Sequence, residues 1–282
     1  MSIYLDPSKR HDFIWLVDVK NGNPNGDPDA ENLPRTDPQT MHGFMTDVCL
    51  KRKIRNYAAL LGQPIFVEQG SILNKKIEES MTANDISPGK GGKSVKDSKD
   101  VDTMRRWMCD RYYDVRMFGA VMSTGRNAGQ VRGPLQITFA DSIDTIVPSS
   151  ISITRCAATE GEEDKDNKTM GRKTFIPYGL YRAYGFFSPT FAEQTGVGAD
   201  DLKLFWDALL NCWECDRSAA RGFMATRKLI VFSHESKWGN APAHELFNLF
   251  KIASQSPAPR SFEEYEWELN AVPESVTATV LR

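Results

Sequence analysis

Residues 13–19 constrain the fold more than any other part of the chain. They read FIWLVDV, in which β-branched and aromatic side chains stand at consecutive positions. A strand with this composition is typical of a sheet that is covered on both faces. The turn-forming segment NGNPNGDPD follows at residues 21–29. The sequence therefore predicts a buried strand that leads into an ordered loop.

Apolar side chains then recur at the three- and four-residue spacing of a helix face. The spacing predicts a first helix that begins near Pro38 and a second helix over residues 102–122. A third helix follows Asp200, which is available as its cap. A short helix is predicted over residues 243–250. Strands are predicted at residues 64–70, 134–144, 149–157, 174–187, 227–233, 263–270 and 276–281.

This order of elements predicts the α+β class, with a pattern compatible with a βαββαβ sheet. We expect a single domain over residues 1–282, with an inserted basic loop region at residues 63–101 and an insertion near residues 155–175. An apolar fraction of 40% excludes wholesale disorder and collagen.

Charge and cysteine content limit the possible environments and partners. Lys and Arg number 35 against 37 Asp and Glu, so the net charge is −2, and binding to nucleic acid would need a local basic patch. The five scattered cysteines indicate reduced thiols. No apolar run is long enough to span a membrane. We therefore expect a cytoplasmic protein without a membrane partner.

The sequence KRKIR at residues 51–55 is the strongest cluster of positive charge. On a helix, Lys51, Arg52 and Arg55 fall within about a quarter turn of one another. A solvated helix end is the simpler interpretation, since cations also complement the helix dipole. Binding to a phosphate chain is the alternative.

Other basic residues lie in glycine-containing loops, where fixed cations and free backbone amides suit a long phosphate chain. They are Arg126, Arg132, Arg172 and Lys173, together with a lysine-rich loop that contains Lys90, Lys93, Lys96 and Lys99.

Asn21, Asn23 and Asn25 occupy alternate positions of the turn segment. Their amides either stabilise the turn or contact phosphate and sugar, and both interpretations stay open. Cys212 and Cys215 lack the further ligands of a structural zinc site. No triad or paired-carboxylate pattern is present, so we expect no catalytic residue, metal or cofactor.

Five segments in this order resemble the backbone subunit of type I-C CRISPR interference complexes, known as Cascade. They are FIWLVDVKNGNPNGDPD, PRTDPQTMHGFMTDVCLKRKIRNY, RGPLQITFADSID, TMGRKTFIPYGLYRAYGFF and RKLIVFS. The resemblance implies an RRM-like (ferredoxin-like) palm with inserted loops and a thumb β-hairpin. It also implies that many copies polymerise along one CRISPR RNA, with other Cascade subunits and target DNA paired to the guide as further partners.

The resemblance also implies roles for individual residues. Lys51, Arg52 and Arg55 would hold guide phosphates, with the loop at residues 21–27 beside them. The thumb would lie near residues 155–175, with Met170 as an apolar wedge and Arg172 and Lys173 on phosphates. The lysine-rich loop would contact target DNA.

Two other functions are compatible with the sequence. One is an RRM-like CRISPR ribonuclease that uses Asp27 or one of the four histidines, His11, His42, His234 and His244. The other is a subunit that assembles through protein contacts alone and protects no RNA.

Overall fold

The computed structural model describes residues 2–88, 94–123, 125–154 and 170–282, and the chain belongs to the α+β class. The strands are β1 (His11–Gly22), β2 (Gly26–Asp27), β3 (Leu33–Pro34), β4 (His42–Met45), β5 (Gly119–Val121), β6 (Gln130–Arg132), β7 (Leu135–Thr145), β8 (Ser149–Thr154), β9 (Met170–Phe187), β10 (Phe223–His234), β11 (Phe250–Ser254), β12 (Tyr265–Leu269) and β13 (Val276–Val280). The helices are α1 (Asp47–Leu60), α2 (Leu73–Ala83), α3 (Ser98–Arg111), α4 (Tyr113–Phe118), α5 (Pro189–Thr195), α6 (Ala199–Cys215) and α7 (Ala243–Leu249).

The main sheet of the described residues is antiparallel and has the strand order β13-β10-β1-β9-β7-β4, with β8 paired to β9. Along the chain, β1, α1, β7, β9, α6 and β10 follow the order strand, helix, two strands, helix, strand. The predicted strands from residue 134 onward are confirmed within the described residues. Residues 174–187 belong to one strand, β9, which begins at Met170.

Strand β1 lies at the centre of the sheet and is buried on both faces, as its apolar run predicts. Phe13 and Trp15 pack with α1 and α6 in the largest hydrophobic cluster, whereas Ile14 and Leu16 pack on the opposite face. A third cluster joins α2 and α3. The helices α1 and α6 thus share one face of the sheet, and this places the first residues of α1 along β7.

The predicted start of the first helix near Pro38 is wrong. Residues 42–45 form β4 because they pair with β7, where Met45 lies opposite Ala140. A turn precedes this strand, in which the backbone N–H of Met41 donates to the carbonyl of Asp37. Helix α1 begins after Thr46, whose hydroxyl accepts a hydrogen bond from the backbone N–H of Cys49. The basic residues at 51–55 nevertheless lie on the helix as predicted.

The predicted helix over residues 102–122 is divided. Tyr112 is extended and separates α3 from α4, and Gly119, with a φ of 79°, ends α4 before β5 begins. Residues 64–70 do not form the predicted strand, because the backbone N–H groups of Phe66 and Val67 donate to the carboxylate of Asp114 instead of a neighbouring strand. Helix α2 and the start of α3 lie inside the region expected to be a loop, residues 63–101.

The third helix, α6, is confirmed, but its cap differs from the predicted one. Gly198 occupies the cap position, and its backbone N–H donates to the side chain of Asp201 rather than to that of Asp200. No helix in the described part of the chain is long and apolar enough to cross a membrane.

Candidate nucleic-acid interface

Two of the predicted cations converge on one aromatic ring. The Lys51 Nζ lies 6.0 Å from the centroid of the Phe118 ring, and the Arg55 guanidinium carbon lies 5.2 Å from it. Lys51 also donates to the Gln136 side-chain oxygen, at 3.4 Å, and pairs with Asp47 one helical turn earlier, at 3.1 Å. The first turns of α1 therefore bring two cations to the start of β7.

Arg55 is held by a buried carboxylate. Its Nε lies 2.8 Å from Oδ2 of Asp114, whose side chain is only 1% exposed. Asp114 also accepts the backbone N–H groups of Phe66 and Val67, at 2.6 and 3.0 Å. Because this carboxylate compensates the charge, Arg55 is better placed to orient the surface than to supply net positive charge to it.

Arg52 lies on the exposed side of α1, and its Nη2 donates to the side-chain oxygen of Gln69. That partner is neutral, so the charge of Arg52 is not compensated by an acid among the described residues. Lys53, the remaining cation of the cluster, has a different role. It is 5% exposed and pairs with Asp216 beyond the end of α6, at 2.6 Å, so it joins two helices of the core.

Arg132 adds a cation to the same surface. It lies on β6 and pairs with Gly119, the residue that follows Phe118. Its guanidinium carbon is 4.4 Å from the centroid of the Phe191 ring. Arg132 is exposed and forms no ion pair among the described residues. The structure thus brings Lys51 and Arg55 against the Phe118 ring. Arg132, about 80 residues later in the sequence, lines the same pocket as Gln136, the side chain to which Lys51 donates.

The amides of the turn segment are largely used inside the fold. Asn23 is buried and donates to the carbonyl of Asn32 at 2.7 Å, while its own side-chain oxygen lacks a partner among the described residues. The Asn25 side-chain oxygen accepts the backbone N–H of Thr46 at 3.0 Å, and so fixes the start of α1. Asn21 is exposed, with a φ of 51°. This loop lies at the N-terminus of α1, one turn before Lys51.

The hairpin of β8 and β9 lies beside this loop. Met170 is 74% exposed at the start of β9, and Lys173 pairs in the hairpin with Ile151. Arg172 forms an exposed ion pair with Glu31 at 3.1 Å. Residues 155–169, which include most of the predicted thumb, lie outside the described residues.

The lysine-rich loop is described in part. Lys90 and Lys93 lie outside the described residues, whereas Lys96 precedes α3 and Lys99 lies in its first turn, both exposed. Arg126 pairs with Glu78 of α2 at 2.6 Å. Lys96, Lys99 and Arg126 belong to the α2–α3 region and not to the surface around Phe118.

Asp27 and three of the four histidines considered for catalysis have structural partners, whereas His244 is exposed, with its Nε2 4.0 Å from the adjacent Glu245. Asp27 pairs with Arg35 at 3.3 Å and accepts the backbone N–H of Asp29. His11 and His234 are fully buried, and His42 bonds to the backbone carbonyl of Ser142 at 2.8 Å. Among the described residues, no three His, Cys, Asp or Glu side chains are grouped so as to hold a metal ion.

Sequence reasoning missed the residues that organise this surface. Phe118 resembles an ordinary apolar position of a helix, and Gln136 and Asp114 carry no local signal, because their partners on α1 lie 85 and 59 residues away.

Comparisons with known proteins give one family by sequence and a related fold by structure. The family model described as CRISPR-associated protein Cas7 matches residues 9–270. A CRISPR-associated protein Cas7 of Haloferax volcanii is 25% identical over 274 residues, which cover 88% of this chain and 76% of the relative. A chain of a solved CRISPR RNA-guided surveillance complex, captured before nicking, superposes with a TM-score of 0.53 at 14% identity, over 79% of this chain and 78% of that chain. The last similarity concerns the fold alone.

Proposed function

The chain belongs to the Cas7 family of CRISPR-associated proteins, and on this premise we propose that it is a non-catalytic subunit that polymerises along a CRISPR RNA. Its RRM-like palm binds the guide backbone and presents the bases for pairing with target DNA. The complex is a type I-C Cascade, with other Cascade subunits as partners. The order and spacing of the five segments quoted above support this subtype.

One observation carries the proposal. Lys51 and Arg55 lie against the Phe118 ring at the start of β7, Arg132 lies on β6 opposite Gly119, and Arg52 continues the surface on the exposed side of α1. Cations beside an aromatic ring, on rigid helix and strand positions, suit a single-stranded phosphate chain whose sequence is not read. We name these four residues and Phe118 the α1 surface.

The turn segment and the hairpin extend this interface at the N-terminus of α1, one turn before Lys51. Asn21 is exposed there, and Asn23 and Asn25 hold the loop against α1 and Asn32. The hydroxyl of Thr174, one residue after Lys173, donates to the same Asn32 carbonyl at 3.1 Å. A guide strand that follows α1 would therefore meet Arg172 and Lys173 next, with exposed Met170 as the apolar wedge of the thumb.

We assign target DNA to the lysine-rich loop, since Lys96 and Lys99 are exposed and lie apart from the α1 surface. Arg126 belongs to the same region. Removing these lysines should weaken the capture of target DNA and leave guide binding unchanged. Loss of guide binding instead would contradict this division of roles.

The first experiment is to express the chain alone in a bacterial cytoplasm and to measure its mass and its ratio of nucleic-acid to protein absorbance. A large species that carries RNA and dissociates on ribonuclease treatment is expected. A monomer near 31.7 kDa that is free of nucleic acid would contradict RNA-templated polymerisation by this chain alone.

A second experiment addresses the thumb. Replacement of residues 160–169 by a short Gly-Ser linker should leave the monomer folded and disturb the spacing of subunits on the guide, as read from nuclease footprints. Unchanged footprints would remove the thumb assignment.

A third experiment addresses catalysis. Incubation of the purified chain with labelled CRISPR RNA and Mg²⁺ should give no cleavage. Steady cleavage that is lost in Asp27→Ala would show that the protein is a ribonuclease and not a scaffold.

A further inference from the structure

A pocket of about 340 Å³ opens at the end of the sheet where β1 and β7 begin and β9 ends. This volume is within the range of small-ligand sites, and its walls combine aromatic rings with cations. Its lining includes Arg10, Arg132, Gln136, Phe191, Lys237 and Trp238.

Trp238 forms an exposed rim of the pocket. Trp238 is 71% exposed, more than any other tryptophan among the described residues. The turn that carries it is rigid: the backbone N–H of Ser236 donates to the Asn240 side-chain oxygen at 2.9 Å, and Arg10 donates to the Trp238 carbonyl at 3.2 Å. An indole that is held in water by a fixed turn offers a flat face for stacking.

Cations line the pocket around this ring. The guanidinium carbon of Arg132 lies 4.4 Å from the centroid of the Phe191 ring, and the Lys237 Nζ lies 5.4 Å from that of the Trp238 ring. Lys237 also approaches the carboxylate of Glu193, but at 3.9 Å and with both side chains largely exposed, so this pair is weak.

The pocket has one acidic wall residue, and its charge is already compensated. Asp12 is fully buried and accepts hydrogen bonds from Arg10 Nη2 at 3.0 Å and from His234 Nε2 at 2.9 Å. His234 Nδ1 accepts the backbone N–H of Asn240, so its Nε2 carries the proton. Asp12 therefore does not oppose an anion in the pocket.

The pocket is continuous with the α1 surface. Gln136 lines it, and the same side chain accepts the hydrogen bond from Lys51. Arg132 belongs to both. A strand that lies on the α1 surface can thus reach the pocket through Gln136.

We propose that this pocket binds one unpaired nucleotide of a single-stranded RNA, with the base stacked on Trp238 and the phosphate between Arg132 and Lys237. The proposal rests on the proposed function in one respect, which is that the strand arrives from the α1 surface.

The test is ultraviolet crosslinking of the purified full chain to oligouridylate that contains 4-thiouridine, followed by mapping of the modified peptides. A crosslink at Trp238 is expected. Trp267 is a matched control, because it is 39% exposed and has the Nζ of Lys228 4.2 Å above its ring, yet it lies on β12 outside the pocket. Crosslinks at Trp267 and none at Trp238 would overturn the proposal.

Affinity provides a second readout. Trp238→Ala should weaken oligouridylate binding roughly five- to 150-fold, the range of stacking on one aromatic side chain. Trp238→Phe should retain most of the affinity, and Trp267→Ala should change it less than twofold. Because Trp238 is exposed, its truncation leaves the core intact. A Trp238→Ala protein with parental affinity would refute the site.

Two outcomes separate this proposal from its premise. If Lys51→Gln with Arg52→Gln binds RNA like the parent while the Trp238 crosslink persists, the α1 surface is wrong and the pocket stands. If the variant loses affinity but Trp238 never crosslinks, the pocket is wrong. If the Trp238→Ala protein without RNA differs from the parent in oligomeric mass but binds RNA with the same affinity, the pocket is a protein contact instead.

Discussion

Replacing Lys51 and Arg52 with glutamine should reduce the salt dependence of RNA binding by an amount that can be calculated. Arg52 is exposed and the Lys51 side chain is 14% exposed, and glutamine has a helix propensity close to that of Lys and Arg. The main structural loss is the Lys51–Asp47 pair, which contributes about 0.3–0.5 kcal/mol. The fold should therefore be preserved while two phosphate contacts are removed.

Each phosphate contact on a single strand contributes roughly 0.7 to the slope of log affinity against log salt, so the double variant should lower the slope by about 1.4. Between 50 and 200 mM salt, the affinity of the parent should then fall about sevenfold more than that of the variant. Fluorescence anisotropy with two unrelated guides, over a salt series, measures this difference. The reduction should be the same for both guides, because backbone contacts carry no sequence information.

The control is Lys203→Gln with Lys251→Gln, which makes the same change in net charge at exposed positions of α6 and β11. Neither lysine forms an ion pair with the described residues. The control should keep the parental slope. Equal reductions in both variants would mean that overall charge, and not the α1 surface, governs binding. A reduction confined to one guide would refute a contact with the backbone.

Three further changes separate structural charges from binding charges. Arg55→Ala leaves the buried carboxylate of Asp114 without its cation and should lower the free energy of unfolding in urea by about 3 kcal/mol. This is the low end for a broken buried ion pair, because two backbone N–H groups still donate to the carboxylate. A loss below 1 kcal/mol would contradict this. Lys53→Ala should destabilise the protein through the loss of its pair with Asp216, and a changed salt slope in the surviving folded protein would place Lys53 at the RNA instead. Burial lowers the pKa of His11 to about 4 from 6.5. The free energy of unfolding should therefore be highest above pH 6.5 and decrease by about 3 kcal/mol as the pH falls to 4, because over this range the unfolded state takes up a proton and the folded state does not. In His11→Gln this part of the pH dependence should disappear, and an unchanged profile would refute it.

The sequence predicts elements whose signal is local. Strand β1 was predictable because consecutive apolar residues suit only a strand covered on both faces, and both faces are covered. The beginning of α1 was not, because Phe44 and Met45 fit a helical spacing as well as a strand, and only the pairing of Met45 with Ala140 decides between them. That contact joins residues 95 positions apart, and no local spacing reports it.

The same distinction holds for the site. The spacing of residues around a helix is enough to place Lys51, Arg52 and Arg55 on one side of it, and in the structure all three lie on α1. What this spacing cannot show is that Arg55 faces a buried carboxylate 59 residues away, or that Lys53 belongs to the core. A count of basic residues treats four cations as equivalent, whereas the fold makes two of them structural.

This division explains how a chain with a net charge of −2 can present a surface to a polyanion. Arg35, Arg55, Arg126 and Arg172 each pair with an acid within the chain. Within the residues that the structure describes, Arg52 and Arg132 contact only neutral groups, Gln69 and Phe191. A cation binds phosphate most favourably where it has no carboxylate partner to give up. Arg52→Gln and Arg132→Gln should therefore each weaken RNA binding more than Arg172→Gln, although Arg172 is also exposed; the reverse order in the same anisotropy assay would mean that the hairpin, and not the α1 surface, is the principal phosphate contact.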